Sequence, residues 1–257
     1  MDIKTGWYLT GLLSLAVCGA GRADTVPPTP VIVEAAIADP RRPGDQVKLD
    51  ATRKPAISIL FSEAKAGDRI ADLMSGNGYF TRILSQVVGP AGHVYAYIPT
   101  EQIAHCAPQE IAGTQAIARD SSYRNVTLLT GSLTDFRLPK ELDLIWMSQS
   151  YHDLHDSFLG PANVAVLNKT IFDALKPGGV FLVIDHVAEA GSGLRDTETL
   201  HRIDPVRMKN EIEAAGFVLD SQSDALRNTD DDHKLAIFNP TIRGRTDQVL
   251  FRFRKPQ

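Results

Sequence analysis

The hydrophobic positions change period along the chain, and each change marks an element. Residues 69–74 form a short apolar run with charge before it and small residues after, the pattern of a buried strand. Gly76-Asn77-Gly78 follows as a turn of small side chains. Beyond it Phe80, Ile83, Leu84 and Val87 fall on one face of a helix that Gly89-Pro90 stops. The unit then repeats. Residues 93–98, 126–129, 142–147 and 180–184 read as strands, with helices predicted over 101–119 and 161–175. Lys176-Pro177-Gly178-Gly179 ends the second of these helices. Asp204 caps a further helix with Pro205 at its first position and Gly216 closing it. Residues 217–220 and 248–253 are two last strands, separated by a polar excursion, 221–245, too long for a hairpin. Alternation at this pitch predicts an α/β fold with a mostly parallel sheet and helices on both faces.

Ahead of this core the pattern is different. Residues 39–66 predict a helical cap, with Lys54-Pro55 opening a segment through Ile57, Leu60 and Phe61. Such a cap either covers a cleft or closes the sheet edge. Residues 24–38, with Pro27, Pro28 and Pro30, read as an extended linker. Residues 1–23 have a lysine at position 4, an apolar run from Trp7 to Cys18 and small residues at Gly21 and Ala23. That is the pattern of a secretory signal peptide cut after Ala23, giving a periplasmic or secreted protein with no stable membrane insertion. Leu15-Ala16-Val17-Cys18 also approximates a lipoprotein box, with Val17 poorly suited to its place, and an uncleaved anchor is the other alternative.

Composition adds limits. With 43% hydrophobic and 23% charged residues the chain can bury a full core. A net charge of −4 gives no broad basic field for nucleic acid. Cleavage removes Lys4, Arg22 and Asp2, taking 27 basic and 31 acidic residues to 25 and 30. It also removes Cys18, leaving Cys106 without a disulfide partner and reading as a small core hydrophobe.

Strand, glycine turn and helix together are how an open α/β sheet holds a nucleotide-like ligand, and Asp72 stands at the carboxyl end of the strand, where such ligands bind. The turn lacks the Lys-Ser/Thr of a P-loop and the third glycine of a dinucleotide fingerprint. Asp72, Gly76 and Gly78 instead resemble motif I of the class I S-adenosylmethionine-dependent methyltransferases, with Met74 where those enzymes usually have their first glycine. The run LKPGGVFLVID at 175–185 is similar to the same family, and the likeness covers roughly residues 53–257. A narrower resemblance is to a bacterial group of predicted exported methyltransferases. It rests on Tyr79-Phe80-Thr81, the polar segment 148–152, Asp185-His186, His201-Arg202-Ile203-Asp204 and the closing runs 243–247 and 253–256.

The resemblance implies a Rossmann-like methyltransferase fold, with seven strands and an antiparallel last strand, and S-adenosylmethionine as cofactor. Asp72 and the backbone of Ser75, Gly76, Asn77 and Gly78 would take the amino-acid end of the cofactor, the carboxylate answering its ammonium. Ile98 stands where an acid for the ribose is expected, and Glu101 is the nearest substitute. Ser132 replaces the acid toward adenine, and Ser148 completes the candidate set. Past strands four and five, His152 or His186 would act as general base toward a small-molecule acceptor, with Tyr151 ordering acceptor or sulfonium. His155 is expected to face solvent. Several histidines and acids, namely His152, Asp153, His155, Asp185, His186 and His201, could converge. No HExxH or CxxC stands in the chain, so no metal is expected, and 201–204 reads as a structural corner with Arg202 paired to a carboxylate. Two functions remain open at this point: a small-molecule methyltransferase, and an exported binding or accessory protein that keeps the fold without the chemistry. Export favours the second, because the methyl donor is made in the cytoplasm; motif I and the histidines favour the first. A metal-dependent lyase or hydrolase is a third reading.

Overall fold

The computed structural model describes Met1, residues 31–160 and residues 162–257. The predicted leader and linker residues 24–30 lie outside the described residues. Among the described residues four short helices come first: α1 (Val31–Ile37), α2 (Gly44–Val47), α3 (Asp50–Arg53) and α4 (Pro55–Ser62). The core then runs β1 (Arg69–Leu73), α5 (Tyr79–Val88), β2 (His93–Pro99), α6 (Thr100–His105), α7 (Ala112–Ile117), β3 (Val126–Gly131) and β4 (Leu142–Ser148). It ends with α8 (Val164–Ala174), β5 (Leu175–His186), α9 (Thr197–Leu200), α10 (Pro205–Ala214), β6 (Val218–Ser223) and β7 (Gln248–Arg254).

The strands form one seven-stranded sheet in the order β3-β2-β1-β4-β5-β7-β6. The first five are parallel, and β7 runs antiparallel to both β5 and β6. Order reverses between β1 and β4, so the crevice outside their carboxyl ends is where an open sheet takes its ligand. Side chains alternate between two cores, as a pleat requires. Ile70, Val94, Leu144 and Leu182 pack under α1, α4, α5 and α7; Ala71, Ile145, Phe181 and Phe253 pack under α8 and α10. The predicted apolar face of α5 is fully buried: Ile83, Leu84 and Val87 have no exposure. Asp204 caps α10 by accepting from the Val206 amide at 2.9 Å, as its position predicts.

Several boundaries differ from the pattern: β5 takes in the 176–179 run and β6 extends to Ser223, and two further differences have a plain physical reason. The linker is helical from Val31, because Val33 and Ala36 bury themselves on the α5 side of the sheet. The single helix predicted over 101–119 is broken into α6 and α7, with extended backbone at Cys106 and Ala107 before Pro108. Cys106 is half-buried at this break, and burial pushes its thiol up to about 11.

The excursion after β6 is irregular but pinned by charge. Arg202 is fully buried and donates to Asp231 at 2.8 and 3.1 Å and to the Val187 and Leu235 carbonyls at 2.9 Å. Asp247 in turn accepts from Arg227, Asn228 and His233 at 2.8 to 3.0 Å. The corner expected at 201–204 is thus the anchor of the whole loop. Arg202→Ala is expected to lower stability by about 3–5 kcal/mol in urea unfolding, since it leaves the Asp231 carboxylate buried without its cation. A loss below about 1 kcal/mol would show that the loop is held in some other way.

Candidate active site

The turn after β1 is built from alternating left-handed residues: Met74 at φ 51°, Gly76 at 52° and Gly78 at 74°. Met74 therefore adopts a conformation that favours glycine, and its side chain is buried with Leu73, Tyr97, Leu133 and Met147. The Ser75 amide donates to the Tyr97 carbonyl at 3.3 Å and the Gly78 amide to the Ser75 carbonyl at 2.9 Å. Among the described residues, the amides of Gly76 and Asn77 donate to no protein acceptor. A Cβ on Gly76 would meet nothing nearer than 3.8 Å, so this face of the turn is open. Gly78 is different. A Cβ there would stand 2.4 Å from Ile117 Cδ1 and 3.0 Å from Thr114 Oγ1. Gly78 makes room for α7, which corrects the expectation that it admits a ligand. Asn77 ties the turn down, its Oδ1 accepting from the Gly113 amide at 2.6 Å and its carbonyl from Gln46 Nε2 at 2.8 Å.

Asp72 also departs from expectation. Its carboxyl points into the α5 side of the sheet and accepts from Thr81 Oγ1 at 2.5 Å. It is 3% exposed, and burial raises it to about 7 against the pull of Thr81 and of the nearby Arg53 guanidinium. It does not open onto the sheet edge, so it cannot meet a cofactor ammonium in this arrangement. Ile98 is fully buried in the sheet and offers only packing. Glu101 does reach the edge between β2 and β3, where it accepts from the Ser132 hydroxyl and from the Leu133 amide at 3.0 Å. Burial works against its charge, but those donors keep the carboxyl below its ordinary value. Ser148 is half-buried at the end of β4.

Beyond β4 and β5 the organiser is Asp185, which is fully buried. It accepts from the His152 amide at 2.8 Å, from His152 Nδ1 at 2.7 Å and from the His186 amide at 2.7 Å. His152 is 1% exposed, and its Nε2 lies 3.1 Å from Asp153 Oδ1. Burial lowers its pKa, but Asp185 and Asp153 together hold it well above the ordinary value. With both nitrogens engaged it is no free general base, which corrects that expectation. Tyr151 is corrected too: it is fully buried, taking a hydrogen bond from Asn168 Nδ2 at 2.7 Å and giving one to Glu211 Oε2 at 3.2 Å. His155 is not solvent-facing but paired with Glu211 at 3.0 Å. His186 is turned the other way. Its Nδ1 pairs with Thr246 Oγ1 at 2.8 Å, and burial drives its pKa down to about 3, so it is neutral at physiological pH.

His186 lines a cavity of ≈ 260 Å³ whose walls include Arg53, Gln149, Arg243 and Gln248. Arg53 comes from α3, so the cap reaches into a cleft as well as covering a face of the sheet. Its guanidinium lies 4.6 Å from the Tyr79 ring centroid, and burial lowers its pKa. Neither Arg53 nor Arg243 has a carboxylate partner among the described residues. Sequence reasoning missed both arginines. The available signal was an arginine inside the suspected cap and another opening the closing run at 243–247.

No family model matches the chain. Over 83 residues it is 28% identical to a protein-L-isoaspartate O-methyltransferase of Ignicoccus hospitalis, a stretch covering 32% of this chain and 36% of that enzyme. Over 135 residues it is 23% identical to the enzyme of the same name from Methanosarcina mazei, covering 52% and 48%. The matched stretch thus spans a third to a half of the length of these curated relatives. A S-adenosylmethionine-dependent methyltransferase from Aquifex aeolicus superposes with a TM-score of 0.56 at 16% identity, covering 82% of this chain and 93% of that one. The fold is that of the class I S-adenosylmethionine-dependent methyltransferases.

The raised carboxyl of Asp72 has a stability consequence. Between its ordinary value and about 7 the folded chain holds a proton that the unfolded chain has released. Stability therefore falls as pH rises through that window, by about 1.4 kcal/mol per pH unit from this group, and levels off above it. Asp72→Asn is expected to remove this component, so urea unfolding at pH 5 and pH 8 should show the variant gaining on the parent at the higher pH. Equal differences at the two pH values would mean that Asp72 is ionised throughout.

Proposed function

We propose that the chain is a S-adenosylmethionine-dependent methyltransferase whose acceptor is a carboxylate of a small acidic molecule or peptide. The fold and the stretch shared with two isoaspartate O-methyltransferases support methyl transfer. The polar edge of the sheet fits the cofactor in part. The free amides of Gly76 and Asn77 suit its carboxylate end, and Glu101 with Ser132 suits its hydroxyls. Ser148 and Gln149 supply polar groups next to the turn, since β4 neighbours β1. Asp72 does not contribute. When bound, the cofactor supplies a methyl group on a sulfonium sulfur. The protein's share is to align an acceptor oxygen and exclude water.

The cavity carries the reading of the acceptor. Arg53 and the exposed Arg243 both line this cavity, with Gln149 and Gln248 beside them, and neither arginine has a salt-bridge partner among the described residues. Guanidinium groups recognise carboxylates in a fixed planar geometry. His186, neutral and anchored through Nδ1, leaves Nε2 for the same ligand. A hydroxyl or amine acceptor would need a base to remove its proton; His152 is closed on both nitrogens, and burial that takes His186 down to about 3 makes its free nitrogen a weak base. A carboxylate acceptor is already deprotonated and needs none. The chemistry available and the charge of the cavity therefore agree.

The second reading, an exported binding protein that keeps the fold without the chemistry, is favoured by one observation: the withdrawal of Asp72 beneath α5. One experiment separates the two. The protein is incubated with S-adenosylmethionine labelled in the methyl group and a panel of small dicarboxylic acids and isoaspartyl peptides. Label that mild base releases as volatile methanol is expected, and Arg53→Gln should raise KM for the acceptor by about 10- to 100-fold. Base-stable label would assign the transfer to another atom type. Calorimetric heat from the acids but none from S-adenosylmethionine would establish the binding protein instead.

A further inference from the structure

The loop after β4 and the turn after α9 bring together His152, Asp153, Asp156 and His201, whose ligand atoms all lie within 4.8 Å of one another. His152 Nε2 is 3.1 Å from Asp153 Oδ1, and His201 Nδ1 is 3.7 Å from that oxygen and 3.6 Å from Asp156 Oδ2. Ligands 2.0–2.1 Å from a tetrahedral ion stand about 3.3 Å apart. The three separations of 3.1 to 3.7 Å are close to that spacing, and all the ligand atoms lie within 4.8 Å of one another, so a modest contraction would complete the shell.

Asp156 is the second, independent observation. Its side chain is 1% exposed, and among the described residues neither carboxylate oxygen has a hydrogen-bond partner. The neighbouring Thr197 hydroxyl is spent on the Leu194 carbonyl at 3.2 Å. An unpartnered buried carboxylate is costly, and buried charges are paired or coordinate metals. The surroundings of His152 point the same way. Its Nδ1 is held by the buried Asp185 at 2.7 Å, which leaves Nε2 for the cluster. A carboxylate on the far nitrogen is the usual support of a metal-bound histidine.

We infer that His152, Asp153, Asp156 and His201 form a structural site for a divalent transition-metal ion, for which zinc is the best match. Two imidazoles and two carboxylates suit zinc, cobalt or manganese; calcium and magnesium prefer an all-oxygen shell. The two carboxylates balance the ion's charge, and four protein ligands close the shell, as in structural rather than catalytic sites. The ion would clamp residues 152–156 to the turn at His201, next to Arg202, which anchors the excursion. His152 also packs against His186 with ring centroids 6.0 Å apart, so the clamp would set one wall of the cavity. The inference does not depend on methyl transfer.

The test uses the full chain, purified, stripped with a chelator and dialysed. Expected are one equivalent of zinc retained after reloading and a rise in Tm of roughly 5–10 °C at a hundredfold excess of free zinc over Kd. Cobalt in place of zinc should give the visible absorption bands of a tetrahedral site, a readout that needs no variant. Asp156→Asn should abolish zinc retention and the Tm rise, while the stripped variant is at least as stable as the stripped parent. No retained metal, with equal Tm responses in parent and variant, would overturn the site and leave the cluster a hydrogen-bonded network.

Discussion

The Asp185 carboxylate, buried without exposure at the carboxyl end of β5, is the constraint on which the functional edge is built. A carboxylate in that position is tolerable only if its oxygens are saturated with donors, and here two amides and one ring nitrogen supply them at 2.7 to 2.8 Å. Those donors come from both segments that leave the sheet, the loop after β4 and the residue after Asp185 itself. Their conformations are therefore not independent. His152 is pulled inward, toward Asp153, Asp156 and His201; His186 is left facing the cavity. Removing the carboxylate would free both at once.

The two histidines show how one arrangement separates roles that a sequence cannot. Both follow apolar strands, both lie close to an aspartate, and both read as candidate bases. What divides them is the partner of Nδ1. A carboxylate there favours the charged ring, and a second carboxylate at Nε2 reinforces it. A threonine hydroxyl gives no such support, and burial then keeps the His186 ring neutral. Neither partner is adjacent to its histidine in a way that spacing reveals, since Thr246 lies 60 residues from His186.

Legibility followed the same line. The run of strands and helices, the α10 cap and the pairing of Arg202 were readable, because each rests on local period or on a residue type that demands a partner; the antiparallel close followed from the family resemblance. The helical start at Val31 was not, because its prolines suggested an extended linker and only tertiary burial of Val33 and Ala36 overrides them. The site was less legible than the fold. Motif I drew attention to Asp72 and Gly78, yet the structure gives both a packing explanation: one hydrogen-bonds Thr81, and the other admits Ile117. Only Gly76 and the neighbouring amide stay available to a ligand. Asp156 and Arg53 escaped notice because nothing local distinguishes them from surface charges; their meaning is set by burial among residues remote in sequence.

Asp72 nevertheless has a place in the electrostatics of the cavity. Arg53 lines the cavity with its guanidinium 4.6 Å from the Tyr79 ring centroid, and the Asp72 carboxylate, when ionised, favours its charge. Were Asp72 fully ionised, the two opposite charges would interact at short range in a poorly screened space, and the field that Arg53 presents to the cavity would be cancelled. Burial raises the carboxyl to about 7, which weakens its charge near neutrality and with it the counter-field behind Arg53. The acid that resembles a cofactor ligand is thus better understood as a buried counter-charge to Arg53. An anion bound at Arg53 would favour the protonated form further, since two negative groups would otherwise share one guanidinium. On the proposed reading, the strand that carries the motif bears on the cavity through the charge behind Arg53 rather than by touching a ligand.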